Sequence, residues 1–157
     1  VDKYTWVDVG SSYLPSEILA AFLLAQLESR VAIQAARGRI WKRYEEELAD
    51  WARANGVGLP HVPAHCEQPF HIFYLMLPSL AARTRLIEHL KARGILAVFH
   101  YQALHLSDKG QEYGGHAGQC PVTEDVADRL LRLPLFHGLS AEDQGDVIAA
   151  VRAFAVR

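Results

Sequence analysis

Three short runs of this sequence bring reactive side chains together. The first is Phe99-His100-Tyr101, followed closely by Leu104-His105. An imidazole beside a phenol, where an apolar run ends, can donate to a hydroxyl or keto oxygen or assist a proton transfer. The plainer alternative is a histidine satisfied by backbone groups with the tyrosine packed on its ring. The second run is the polar turn Gly10-Ser11-Ser12-Tyr13-Leu14-Pro15-Ser16, which leads directly into an apolar stretch. If that stretch is helical, Ser11 and Ser12 sit beside exposed N–H groups and can hold a phosphate, or they can serve as helix caps. The third is His61 with His65-Cys66. Its spacing matches no zinc pattern, and the neighbouring prolines fit an ordinary loop, so no metal is expected there.

These residues need elements to position them, and the chain is long enough to build a core. It has 157 residues, 50% hydrophobic and 22% charged, a globular composition rather than a disordered one. A net charge of −2 gives no basic field for nucleic acid or an anionic membrane. The longest apolar run, Ile18 to Ala25, is too short to span a bilayer, and no basic and apolar leader precedes it. There is no initiator methionine, which fits a fragment or a processed chain. Cys66 and Cys120 are far apart and read as reduced thiols, so a cytoplasmic setting is expected. Glu45-Glu46-Glu47 reads as a solvated helix face, and no phosphate-binding loop or nucleophile-elbow motif occurs.

Pro15 suits a first helical position, and the helix from there to about Glu28 is apolar nearly all round. It should be buried on most sides, which asks for more protein than this chain supplies. A second helix is expected from about Ser29 to Ala54, its stripe formed by Ile33, Ile40, Tyr44, Leu48 and Trp51, with Asn55-Gly56 ending it. Phe70 to Leu77 reads as a strand, then a helix opens at Ser79 with Leu80, Leu86, Ile87 and Leu90 inward. Ile95 to Phe99 is a second strand, Tyr101 to Cys120 a long loop, and Thr123 a cap for a helix to about Leu131. Leu133 to Phe136 is a short third strand, and Ser140 with Asp143 caps the last helix. The order α-α-β-α-β-loop-α-β-α predicts a small sheet covered by helices.

In order and spacing, the Gly10–Ala21, Ala97–His105 and Arg132–Ser140 segments resemble the C-terminal half of a sugar-nucleotide aminotransferase of the DegT/DnrJ family, in its WecE-like branch. Val1-Asp2-Lys3-Tyr4-Thr5-Trp6 fits the same branch. Ser12 stands where the family often has Asn, and Leu14 where it often has Arg. The resemblance implies an α+β small domain of a fold type I aminotransferase, with a largely antiparallel sheet preceded by a long connecting helix. Residues 1–28 would close the large domain, carrying the active-site turn and the buried helix. Residues 29–157 would be the connecting helix and C-terminal small domain.

It also implies pyridoxal phosphate (PLP) as cofactor, glutamate as amino donor and a nucleotide sugar as acceptor, in a homodimer with its active site at the interface. The branch converts dTDP-4-dehydro-6-deoxyglucose to dTDP-4-amino-4,6-dideoxygalactose for surface-polysaccharide synthesis. Ser12 and Ser11 would contact the cofactor phosphate, and His100, Tyr101, His105 and Lys3 the substrate. The Schiff-base lysine is expected upstream of Val1, so this chain alone carries no catalytic residue. Lys3 is not that lysine, because nothing near it supplies an acidic partner for the cofactor nitrogen. Two other readings stay open: transamination of a different keto-sugar nucleotide, and a binding domain that keeps the fold without catalysis. The isolated chain is expected to self-associate through its apolar first helix.

Overall fold

The computed structural model of the chain describes residues 5–10 and 15–156. Helix α1 (Glu17–Glu28) is capped by Ser16, whose Oγ accepts the Leu19 N–H at 3.3 Å. The cap falls one residue beyond Pro15, since Ser16 can satisfy an orphan donor and proline's ring cannot. After a bend of 65° comes α2 (Arg30–Asn55), closed by Gly56 in the left-handed conformation with φ 65°. The expected burial of α1 is not met within this chain. No α1 residue is buried, and Ile18 and Phe22 are 81% and 67% exposed.

Strand β1 (Phe73–Met76) is followed by α3 (Leu80–Lys91) and the brief β2 (Val98–Phe99). A 3-10 turn at Leu104–Leu106 and the short α4 (Asp108–Glu112) organise the long loop, which is therefore folded rather than irregular. Then come α5 (Pro121–Arg129), β3 (Leu130–Leu133) and α6 (Ala141–Arg152). The three strands form one antiparallel sheet in the order β1-β3-β2, with Tyr74 opposite Arg132 and Val98 opposite the same residue on the other side. A mixed helix-and-sheet fold of the expected order results.

Alternation along the strands gives the sheet two distinct faces. Phe73, Leu75, Leu131 and Leu133 point into a core shared with Tyr44 and Leu48 of α2, Leu86 and Leu90 of α3, and Val147 and Val151 of α6. Phe73 lies 5.2 Å from the Tyr44 ring and 5.4 Å from Trp41. The Tyr44 hydroxyl donates to the Pro134 carbonyl at 2.9 Å, and burial pushes its phenol far above the ordinary range. Gln144 of α6 donates to the Ile40 carbonyl at 2.7 Å, and the Trp51 indole to Phe154 at 3.3 Å. Tyr74, Met76, Leu130 and Arg132 occupy the other, half-buried face.

Several boundaries move for identifiable reasons. The third strand spans Leu130–Leu133 rather than Leu133 to Phe136, because Pro134 has no N–H for the ladder. Helix α5 starts at Pro121 after Cys120, not at Thr123; the Glu124 carboxylate takes the Gly118 and Cys120 N–H groups instead of a capping hydroxyl. Strand β1 omits Phe70, whose φ of 45° breaks an extended run. Of the inward set in α3, Leu86 and Leu90 are buried, but Leu80 is 45% exposed. Ser79 and Ser140 cap α3 and α6 as the sequence indicated.

Candidate functional site

Just beyond β2 the chain delivers His100 to the open face of the sheet. There a cleft of about 330 Å³ is bounded by His61, Gln68, His71, Tyr74, His100 and Leu130. The His100 Nδ1 is buried and has no hydrogen-bond partner among the described residues. Burial first, then the nearby Arg132 and His71, hold its pKa below the usual histidine range. The ring is therefore neutral at physiological pH, with one nitrogen that donates and one that accepts. Tyr101 meets it edge-on, ring centroids 4.6 Å apart at 66°, and is itself 57% exposed. A neutral imidazole and an exposed tyrosine beside it can together orient a hydroxyl-rich ligand.

The loop after Tyr101 is held by a different set of contacts. His105 Nε2–H donates to Glu124 Oε1 at 2.8 Å, and the same carboxylate accepts Gly118 N–H at 2.9 Å and Cys120 N–H at 3.3 Å. The His105 side chain thus ties the 3-10 turn to the first turn of α5. Backbone packing is equally close: a Cβ at Gly110 would collide with the Leu104 carbonyl oxygen, and one at Gly115 with that of His105. The N-terminal lead-in joins this loop. Trp6 stacks on Tyr113 with centroids 5.7 Å apart, its carbonyl accepts the Lys109 N–H at 3.1 Å, and Thr5 Oγ1 donates to Gln102 Oε1 at 3.1 Å.

Of the residues singled out in the sequence, His100 lines the cleft and Tyr101 meets its ring edge-on, while His105 is engaged by Glu124. Ser11, Ser12 and Lys3 lie outside the described residues. His61 lines the cleft, whereas His65 and Cys66 are exposed. Among the described residues no group of three or more His, Cys, Asp or Glu is placed to hold a metal ion. Sequence reasoning passed over His71, Tyr74 and Arg132. The Leu131-Arg132-Leu133 alternation carried the signal, because a charge between two core leucines of a strand must face the other side.

The hydrogen bond from His105, then those from Gly118 and Cys120, hold the Glu124 pKa below its ordinary 4.5. A depressed carboxylate contributes stability above its unfolded pKa and loses it as pH falls through the lower, folded value. Protection of the Gly118 and Cys120 amides, their exchange relative to the unfolded chain at the same pH, is therefore expected to hold from neutral pH down to about 4.5 and to fall only below it. Glu124→Gln should lower that protection at neutral pH and flatten its acid dependence. Unchanged protection in the variant would show that the carboxylate does not hold the loop.

Comparison with known proteins gives one consistent outcome. A family model described as the DegT/DnrJ/EryC1/StrS aminotransferase family matches residues 1–152. The erythromycin biosynthesis sensory transduction protein EryC1 of Saccharopolyspora erythraea is 30% identical over 152 residues, covering 96% of this chain and 40% of that protein. Among solved structures, S. venezuelae DesV in complex with a ketimine intermediate superposes with a TM-score of 0.80 at 29% identity, covering 96% of this chain and 39% of the other. A DegT DnrJ EryC1 StrS aminotransferase from Brucella abortus gives 0.72 at 33% identity, covering 86% and 34%. The chain spans about two-fifths of the length of the curated relatives it matches.

Proposed function

The chain belongs to the DegT/DnrJ/EryC1/StrS aminotransferase family, and from that premise we propose that it forms the acceptor side of a sugar-nucleotide aminotransferase. The reaction is transfer of an amino group from glutamate to dTDP-4-dehydro-6-deoxyglucose, giving dTDP-4-amino-4,6-dideoxygalactose for surface polysaccharide. The observation that carries this reading is the His100–Tyr101 pair beside the open-face cleft. There a neutral imidazole with an unpartnered buried nitrogen stands next to an exposed phenol. Such a pair suits a ligand presenting hydroxyl and keto oxygens, because each partner can donate without carrying a charge.

The described residues do not by themselves fit PLP. Lys42 and Lys91 are exposed, Lys109 is ion-paired with Glu112 at 2.6 Å, and none of the three lines the cleft. Covalent attachment of the cofactor accordingly falls to residues beyond those described, with Ser11 and Ser12 proposed as contacts to its phosphate. In this reading the chain's share is to bind and orient the sugar. His100 and Tyr101 face the hexose, the loop pinned by His105 and Glu124 keeps Tyr101 in place, and a homodimer completes the site. Lys3 is proposed as a further contact to the sugar nucleotide.

The test is an assay of the full-length gene product with glutamate, PLP and dTDP-4-dehydro-6-deoxyglucose, the product identified by NMR. A 4-amino sugar of galacto configuration supports the reaction as written. Conversion of glutamate without this product would keep the aminotransferase and discard the substrate, and loss of both would favour a binding domain. Within that assay, Tyr101→Phe should lower sugar turnover about tenfold, the effect of one lost hydrogen bond in the transition state. It should leave the glutamate half-reaction unchanged; equal losses in both would remove Tyr101 from the sugar side.

A further inference from the structure

The open face of the sheet has a cation at its centre. Arg132 sits on the middle strand with Tyr74 directly opposite on β1 and Val98 opposite on β2. Its Nη2 donates to the Phe99 carbonyl at 3.2 Å, while its Nε is buried with no partner among the described residues. None of the ion pairs among those residues involves Arg132. A half-buried guanidinium held by one neutral carbonyl leaves donor capacity unused, which is costly unless something else takes it up. Close by, His100 Nδ1 is a second buried and unpartnered polar atom, and His71 and Tyr74 complete the adjacent cleft wall.

We propose that Arg132, with His71, His100 and Tyr74, forms an oxyanion-binding site on the open face of the sheet, taking a phosphate or carboxylate group of a substrate. The planar fork of Arg132 matches two oxygens of such a group, and a bidentate bond to an anion adds a second bond and a charge–charge attraction that the single bond to the uncharged Phe99 carbonyl lacks. Among the described residues, the one hydrogen bond of its guanidinium is the bond to Phe99, and its strand neighbour Tyr74 lines the cleft. The electrostatics agree: Arg132 and His71 both disfavour a protonated His100, so the cluster is short of negative charge. The choice of anion rests on the function proposed above, since a nucleotide sugar supplies a diphosphate and the amino donor a carboxylate. The site itself does not.

The experiment is a titration of this chain, followed by the NMR signals of the His71 and His100 ring C–H groups, with inorganic pyrophosphate in one arm and glutarate in the other. Saturable shifts of both rings with pyrophosphate alone would assign the site to the diphosphate, and with glutarate alone to the donor carboxylate. Arg132→Met should weaken the effective anion about tenfold or more, as expected for loss of a charged hydrogen-bonding group, and Arg132→Lys should restore part of it. No saturable shift with either anion in the unaltered chain overturns the proposal, whatever the variants do. Equal shifts in the unaltered chain and Arg132→Met overturn it too. The readout needs no turnover, so a failed transamination assay leaves the result standing.

Discussion

Gly115→Ala is expected to unseat the loop that carries Tyr101 while leaving the core intact. A Cβ there would collide with the His105 carbonyl oxygen and stand 2.9 Å from the Gly110 carbonyl oxygen. Both obstacles are backbone, so no flexible side chain can yield. The turn must open, the Gly115 N–H bond to Gly110 at 3.0 Å is lost, and His105 is drawn away from Glu124. Overpacking of this kind costs about 1–3 kcal/mol, concentrated in one loop. Gly114 is the matching control: its φ is 87°, but nothing stands within 4 Å of a Cβ, so alanine there adds about 1 kcal/mol of backbone strain and no collision. Limited trypsin digestion should cut Gly115→Ala after Lys109 faster than Gly114→Ala, with far-UV circular dichroism unchanged in both. Equal digestion rates would mean that the turn relaxes without opening.

Phe73→Ala should have the largest effect on global stability. Phe73 is fully buried, opens β1 on its core-facing side, and packs on the Trp41 and Tyr44 rings. Removing a buried aromatic ring typically costs about 3–5 kcal/mol, because rigid neighbours cannot collapse into the gap. Small domains have about 5–15 kcal/mol in total, so the variant should be close to unfolding at ambient temperature. In the same chain Phe22→Ala, at a position 67% exposed on α1, should change stability by less than about 0.5 kcal/mol. Urea unfolding of the two variants measures the contrast. A small midpoint shift for Phe73→Ala would place the stabilising core elsewhere.

Much of this architecture was legible in the residues. The stripe of α2 was readable because Ile40, Tyr44 and Leu48 repeat at helical spacing, and all three are buried. Ser79 and Ser140 were readable because a cap depends only on a hydroxyl and the next few N–H groups. Strand limits were not, since they depend on which partner is present. Leu130 belongs to β3 because Met76 lies opposite it, a pairing across the chain that no local window contains. The start of α5 was misplaced because the helix begins at Pro121 with no capping side chain, the Glu124 carboxylate reaching back to the Gly118 and Cys120 N–H groups ahead of it. Helix α1 shows the converse: its composition indicates burial, but local sequence does not say what covers it. At the site, His100 and Tyr101 were visible by type and by family resemblance. Arg132 was hidden by the misplaced strand, because a residue between helix and strand has no assigned face.

The strand order β1-β3-β2 also governs when this protein can fold during its synthesis. The middle strand of the sheet is the last to be made, and the core is closed by bonds from Ile40 to Gln144 and from Trp51 to Phe154. Contacts that far apart in sequence require β3 to have left the ribosome before the first strand gains its sheet partner; before that its backbone bridge is the one from Met76 to Gly58. Until then β1 is a nascent edge rich in aromatic and aliphatic side chains, which of the helices in its eventual core can pack only on α2 and α3. Premature termination within α5 or β3 would therefore release an aggregation-prone polypeptide rather than a smaller folded one.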